Sequence, residues 1–486
     1  MDNDNLRQKT FSGFLWRFAE RCGAQGVSFI VSLVLARLLA PEVYGTIALV
    51  MVFMVILQVF VDSGMGNALI QKKDADDTDF STVFYFNLVV CIVLYCIMFA
   101  AAPLIAKFYK DDSLTAVIRV LSLTLVISGV KNVQQAYVAR NLLFKRFFFS
   151  TLGGTVGAAV LGITLAYQGF GVWSLVAQHI FNTMIDTIIL WITVKWRPRR
   201  EFSMERLKGL FSYGWKLLAS ALLDTVYNNI RQLIIGLMYS SANLAFYNKG
   251  RQVPELIITN VNTSIDSVLF PVLSEQQEDK GMVKGMTRRA IKTSTYIIAP
   301  LMMGLAATAP VVIRLLITEK WLPCVPFLRI FCFTFMLYPI HTANLNAMKA
   351  MGRSDIFLKL EIIKKVIGVI LLLSTMWFGV MAMAYSLLVS CLLSLLINAW
   401  PNRKLLGYGY FEQLKDIFSN IMLAVLMGVA VKQIELLGFA DFLTLCLQVV
   451  SGIVIYLAFS VFLKMDSFEY LWKNAKLVLF RIFRKR

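Results

Sequence analysis

Histidine is the scarcest functional side chain in this sequence: His179 and His341 are the only two in 486 residues. Histidine-based metal sites and Ser–His–Asp triads therefore have almost nothing to build on. Charge is scarce as well, at 16% of residues, where a soluble chain carries about a quarter. That deficit excludes an ordinary soluble enzyme. The seven cysteines form no CxxC pair and fall almost entirely inside apolar runs, so they read as small core hydrophobes and not as disulfides or metal ligands. No GxxxxGK[ST] phosphate loop occurs, which excludes ATP hydrolysis by that route. Any drive must come from an ion gradient, the membrane potential or the substrate gradient. No cofactor motif and no metal-ligand spacing is found. No small-residue cleavage site follows the first apolar run, so that run is expected to stay as a spanning helix.

What the sequence has in abundance is hydrophobic length. Apolar residues make up 58% of it. A spanning helix needs about 20 apolar residues, which leaves room for about fourteen. The runs fall at 14–39, 45–66, 80–106, 114–138, 147–168, 171–194, 211–238, 245–273, 293–317, 325–348, 356–377, 379–400, 415–433 and 438–463. The linkers between them alternate in charge. One set is basic and includes Arg140, Lys145, Arg146, Lys195, Arg197, Arg199, Arg200, Lys284, Arg288, Arg289 and Lys292, with both termini, among them Lys473, Lys476, Arg481, Arg484, Lys485 and Arg486. The other set is short and poor in lysine and arginine. The positive-inside rule then puts both termini in the cytoplasm. The net charge of +19 is thus mostly topology, and nucleic-acid binding is rejected. Outward loops this short have no room for a catalytic domain, so the chain is not read as an enzyme.

Internal similarity follows. Trp16-Arg17 opens the first predicted helix and Trp215-Lys216 the seventh; Arg119 sits in the fourth and Arg329 in the tenth. Each of the latter two then carries a polar cluster: Lys131, Asn132, Gln134 and Gln135 against His341, Thr342, Asn344 and Asn346. Matches in order at slowly drifting offsets point to a repeat. Six helices per half gives both halves one orientation, a parallel repeat of the transporter kind. The predicted fold is an all-α integral membrane protein, with two six-helix lobes (1–202 and 203–405) around a central cavity. Helices 13 and 14 and a basic cytoplasmic tail (406–486) are added to these.

Polar residues inside the runs fall at helical spacing. Helix 1 has Arg17, Arg21, Gln25, Ser28 and Ser32 on one face, with Glu20 beside them. Helix 2 has Gln58 and Asp62; helix 7 has Lys216, Ser220, Asp224, Tyr227, Asn228 and Arg231; helix 8 has Asn248, Arg251, Gln252, Glu255, Thr259, Asn262 and Asp266. An ionisable side chain in hydrocarbon costs about 2.5–3.5 kcal/mol, so such stripes turn toward an interior or a cavity. A purely structural reading stands beside the functional one: Arg17 with Glu20, and Arg251 with Glu255, are spaced to pair along their own helices. Lys131 and His341 are equally readable as side chains snorkelling to an interface. Gly153, Gly154, Gly157 and Gly162 suggest close helix packing, and Asp111 and Asp112 a solvated outward loop.

The segments LARLLAPEVYGTIAL (35–49), FVDSGMGNALIQKK (60–73), NNIRQLIIG (228–236) and LAFYNKGRQVPELIITNVNTSIDSVLFPVLSEQQED (244–279) carry a family resemblance. The sequence resembles the polysaccharide-type (Wzx-like) flippases of the multidrug/oligosaccharidyl-lipid/polysaccharide exporter superfamily. Within them it is most like the branch of teichuronic acid and colanic acid exporters. The resemblance covers roughly residues 10–405. It implies a flippase that carries undecaprenyl-diphosphate-linked repeat units from the inner to the outer leaflet of the bacterial cytoplasmic membrane by alternating access. It also implies that Arg17, Arg21, Arg231 and Arg251 meet the diphosphate. Arg231 stands where many relatives carry Asp, and Asp224 stands near the helix-7 aspartate of a sodium site in related lipid II flippases. The expected substrate-binding set is Arg17, Arg21, Gln25, Asp62, Lys216, Asn228, Arg231 and Arg251. Glu20, Asp224, Glu255 and Asp266 are the expected charge-balancing or ion-coupling set. Polysaccharide polymerase and glycosyltransferases are the implied partners, and a single chain suffices to form the cavity. The competing reading is an ion-coupled small-molecule antiporter of the same superfamily. Its cavity would be dominated by acidic residues, against the basic stripe of helix 1.

Overall fold

A computed structural model describes the backbone of residues 3–62 and 65–484. The side chains of 1–11, 13–15, 18, 63–64, 213, 475 and 478–486 are outside the description, and with them Arg481, Arg484, Lys485 and Arg486 of the basic tail. All regular structure among the described residues is helical, and contacts divide the chain into two units, Met1–Ala245 and Phe246–Arg486.

The first unit holds α1 (Asn3–Leu38), α2 (Pro41–Asp62), α3 (Met65–Gln71), α4 (Asp77–Tyr109), α5 (Ser113–Leu121), α6 (Leu123–Arg140), α7 (Phe144–Tyr167), α8 (Val172–Thr193) and α9 (Met204–Met238). Helix α10 (Ser241–Glu275) starts in the first unit and runs into the second. There it is followed by α11 (Lys280–Ile317), α12 (Val325–Met336), α13 (Tyr338–Ala350), α14 (Ser354–Thr375), α15 (Val380–Leu406), α16 (Tyr410–Gln433), α17 (Asp441–Phe462) and α18 (Asp466–Arg484). Twelve stretches of described helix are long and apolar enough to cross a membrane. The other two of the fourteen expected helices, α9 and α14, have the length, at 35 and 22 residues. They carry more charge, Lys216, Asp224 and Arg231 in one and Glu361, Lys364 and Lys365 in the other. The chain is a multi-pass, all-α membrane protein.

The fourth and tenth predicted helices are each broken once. Ser122 separates α5 from α6: its N–H and its hydroxyl both donate to the Ile118 carbonyl, and the next ladder bond, from the Leu125 N–H to the Ser122 carbonyl at 3.0 Å, tightens to a three-residue step. Leu337 separates α12 from α13, and Pro339 follows within the first turn, where a missing N–H is tolerated. Close packing of α7 on α8 matches the glycine stripe: a methyl on Gly154 would meet Asn182 backbone oxygen at 2.9 Å.

In the first unit an aromatic cluster of Phe80, Phe84, Tyr137 and Trp196 lies with Leu190, Leu207 and Leu210. The segment after α8 is held on it. Arg206 pairs with Asp76, Arg199 with Asp77 at 2.6 Å, and Lys72 with the buried Asp79 at 2.7 Å. The Arg206 guanidinium beside Asp76, with the Asp79 backbone N–H, lowers the Asp76 carboxyl to about 2. In the second unit α16 and α17 lie along α11 and are tied at both ends. Lys284 pairs with Glu412 (3.2 Å) and Arg288 with Asp416 (2.6 Å) of α16, and Lys292 with Asp466 (3.1 Å) at the start of α18 (Asp466–Arg484); at the other end Arg314 holds Asp441 (3.0 Å) of α17 and Glu435 (3.1 Å) just after α16. The residues after 463, expected as a tail, form α18. Its amphipathic pattern gave no long apolar run to mark it as a helix.

Candidate functional site

The polar stripes resolve into side chains that are packed and side chains that are open. On α1, Arg17 Nη1 donates to Glu20 Oε2 at 2.5 Å, and the guanidinium lies over the Phe147 ring at 4.6 Å. Glu20 is buried and accepts from Thr151 Oγ1 at 3.1 Å. The first pair therefore fastens α1 to α7. One turn further on, Arg21, Gln25 and Ser28 are exposed. On α9, Lys216, Ser220, Asp224 and Asn228 are exposed at four-residue steps, while Arg231 is buried. On α10, Arg251 Nη2 donates to Glu255 Oε1 at 2.6 Å, and the Arg251 Nε is buried with no partner. Lys249 Nζ donates to Gln252 Oε1 at 3.2 Å and lies 5.7 Å from the Trp321 ring centre.

Asp62 and Asp266 occupy equivalent settings. Asp62 is exposed and accepts from Gln58 Nε2 at 3.0 Å and from Asn132 Nδ2 of α6 at 3.2 Å. Asp266 is exposed and accepts from Asn346 Nδ2 of α13 at 2.6 Å. Two further contacts recur in the same way. Arg119 Nε donates to the Phe99 carbonyl at 3.2 Å, and Arg329 Nε to the Ala306 carbonyl at 3.1 Å. Lys131 pairs with Asp186 of α8 at 2.9 Å, and His341 Nδ1 lies 3.0 Å from Asn398 Nδ2 of α15. The offsets run from 204 (266 − 62) to 214 (346 − 132). The internal repeat is thus visible as repeated chemistry inside each unit.

Lys131 and His341 do not snorkel. Each is tied across to the last helix of its six, and His341 Nε2 also lies 3.3 Å from Cys391 Sγ. Asn132, Asn346, Asp186 and Asn398 belong to these contacts and were not singled out as partners by spacing. For Asp186 one signal existed, a lone carboxylate inside an apolar run.

A family model described as "Polysaccharide biosynthesis protein" matches residues 34–326, more than half of the chain. The chain belongs to this family. Among curated relatives, it is 26% identical over 385 residues to the teichuronic acid biosynthesis protein TuaB of Bacillus subtilis (strain 168), covering 77% of this chain and 78% of that one. It is 24% identical to the lipopolysaccharide biosynthesis protein WzxC of Escherichia coli (strain K12), covering 74% of each. Among solved structures, the inward closed conformation of the lipid II flippase MurJ superposes with a TM-score of 0.72, over 93% of this chain and 99% of that one, at 14% identity. At that identity the likeness establishes the fold, which is the one already derived from the helix order.

Proposed function

We propose that this chain is a flippase for undecaprenyl-diphosphate-linked oligosaccharide repeat units in polysaccharide biosynthesis. It carries them from the inner to the outer leaflet of the bacterial cytoplasmic membrane, with both termini cytoplasmic. The observation that carries the reading is the exposure of Arg21, Gln25, Lys216, Asp224 and Asn228 on helices of membrane-spanning length. Such groups are too costly to face lipid, so they line a polar route. Family membership and the names of TuaB and WzxC support a glycan cargo.

The lipid tail stays in hydrocarbon and only the diphosphate and sugars need the route. Guanidinium forks suit phosphate oxygens as two-point partners. Arg21 is the open ligand; Arg17, Arg231 and Arg251 complete the diphosphate set when the lobes, 1–202 and 203–405, alternate their access. Gln25, Asp62, Lys216 and Asn228 meet the sugars. Glu20, Asp224, Glu255 and Asp266 hold the charge balance when no substrate is bound. A polymerase and glycosyltransferases act on either side of the transport step, and this chain makes or breaks no covalent bond.

The test is deletion of the gene in its native host, together with any family paralogue, scored for surface polysaccharide and lipid-linked repeat units. Loss of polymer with repeat units accumulating on the cytoplasmic side is expected. Unchanged polymer and unchanged intermediates would overturn the reading and favour the small-molecule antiporter.

A further inference from the structure

One groove of about 710 Å³ lies wholly in the second unit, between the second half of α10, the first half of α11 and Tyr470 of α18. None of the substrate residues above lines it. Its walls carry Val261, Ile265, Val268 and Ile297. Three of the polar side chains along it are turned to their own helices: Asn260 Nδ2 donates to the Leu256 carbonyl and Ser264 Oγ to the Asn260 carbonyl, both at 2.8 Å, and Ser294 Oγ to the Ala290 carbonyl at 2.6 Å. Beside them stands Thr293, and the rest of the wall away from Arg289 and Tyr470 is apolar, which suits a hydrocarbon chain and not a sugar. From Asn260 to Val272 it runs about 18 Å at 1.5 Å per residue, close to the half-thickness of about 15 Å of a bilayer core.

The end of the groove nearest the 276–279 turn is cationic. Five basic residues stand in the first half of α11, Lys280, Lys284, Arg288, Arg289 and Lys292, and three of them are paired: Lys284 with Glu412, Arg288 with Asp416, Lys292 with Asp466. Arg289 has no carboxylate within ion-pair distance among the described residues; its guanidinium lies 4.6 Å from the Tyr470 ring centre and lines the groove. Tyr470 belongs to α18, an amphipathic helix with Trp472, Lys473 and Lys476 exposed. It follows α17 after a short turn and so lies at the membrane face, as such helices do.

We infer that the α10–α11–α18 groove binds one anionic phospholipid from the leaflet on that side, with an acyl chain along α10 and α11 and the headgroup phosphate on Arg289. Charge complementarity and a length of one leaflet commit the site to a resident phospholipid. A polyprenyl chain is several times longer than the groove. The inference stands apart from the transport reading, since none of its residues is assigned to the substrate.

The test is native mass spectrometry of the full chain released from nanodiscs of phosphatidylcholine containing phosphatidylglycerol. Wild type is expected to retain phosphatidylglycerol over phosphatidylcholine. Arg289→Gln should lower that preference by about fivefold, the effect of one cation near an anionic surface, and Arg289→Lys should keep most of it. Val268→Trp, at a residue 65% exposed, should fill the groove and expel lipid of either kind. Arg353→Gln, at an exposed cation paired to Asp355, should change nothing. No preference in wild type, an unchanged preference in Arg289→Gln, or displacement of the phospholipid by added polyprenyl phosphate would overturn the assignment. Flipping of repeat units is scored separately, so failure here with transport intact sinks the lipid site alone.

Discussion

The Lys131–Asp186 pair offers the sharpest test of the packing described for the first unit. The two side chains meet at 2.9 Å with 17% and 12% of their surface exposed. The second oxygen of Asp186 is buried with no partner, so among the described residues Lys131 is the one cation paired with the carboxylate. Removing lysine leaves a bare carboxylate between α6 and α8. On insertion scales such a charge costs about 2.5–3.5 kcal/mol, and breaking a buried pair from one side costs about 3–5 kcal/mol. Lys131→Met is therefore expected to lower stability by about 3 kcal/mol, more than a hundredfold in the folding equilibrium. Asp186→Leu should do the same by leaving the ammonium unpaired. The double variant should recover most of the loss, because an apolar pair of similar volume is often no worse than a buried ion pair. The assay is a double-mutant cycle on denaturant unfolding in one fixed detergent. Single variants within about 0.5 kcal/mol of wild type, or a double variant whose loss is the sum of the two, would refute the claim that these charges depend on one another.

Three more outcomes follow from the geometry. Arg21→Ala should abolish most flipping with stability changed by less than about 0.5 kcal/mol, whereas Arg17→Ala should also destabilise, because it strips the Phe147 ring and the buried Glu20 of their partner; equal stability losses would refute the division into open and packed arginines. Gly45→Ala would put a methyl 1.8 Å from the Ser241 carbonyl oxygen and should cost about 3 kcal/mol or more. Gly26→Ala, with nothing within 4 Å, should gain up to about 1 kcal/mol from helix propensity, and thermal unfolding of the two would show it. The Asp76–Arg206 clasp depends on an ionised carboxylate lowered to about 2. A lowered folded value means that its contribution is complete above the ordinary carboxylate range and is lost as pH falls through about 2. Pepsin cleavage near Phe202 should rise toward pH 2 in wild type, and Asp76→Asn should already be cleaved at pH 4; identical profiles would exclude the clasp.

Much of the fold is legible because lipid imposes a simple rule: about 20 apolar residues per crossing. The spans, and the pairs Arg17–Glu20 and Arg251–Glu255, follow from local spacing alone. The helix breaks are less legible. Pro339 marks one of them, but at Ser122 the ladder only tightens to a three-residue step, from the Leu125 N–H to the Ser122 carbonyl, and a serine in an apolar run gives no such warning. Helix α18 hides because its apolar residues alternate with Lys473, Lys476 and Glu469, so no continuous run announces it. The cross-helix contacts cannot be read at all until it is known which helices are neighbours. Asn132 and Asp62 are 70 residues apart, and only the fold makes them partners.

Those cross-helix contacts bear on how the two units can differ in function while sharing a plan. At one equivalent place the first unit holds Lys131 with Asp186 and the second holds His341 with Asn398. The geometry is kept and the chemistry is not: a paired charge in one, an amide and an imidazole in the other. Beside each lies the same open carboxylate held by an asparagine, Asp62 with Asn132 and Asp266 with Asn346. A repeat kept only for packing would have no reason to retain an exposed carboxylate twice, since each costs free energy in a membrane. Retention at both places argues that each carboxylate serves transport in its own unit, Asp62 toward the sugars and Asp266 in the charge balance, and not packing alone. Asp62→Asn and Asp266→Asn should therefore impair flipping in the same direction, and the double variant should lose no more than the worse single if both act at one step. A transport defect confined to one of the two would refute the equivalence.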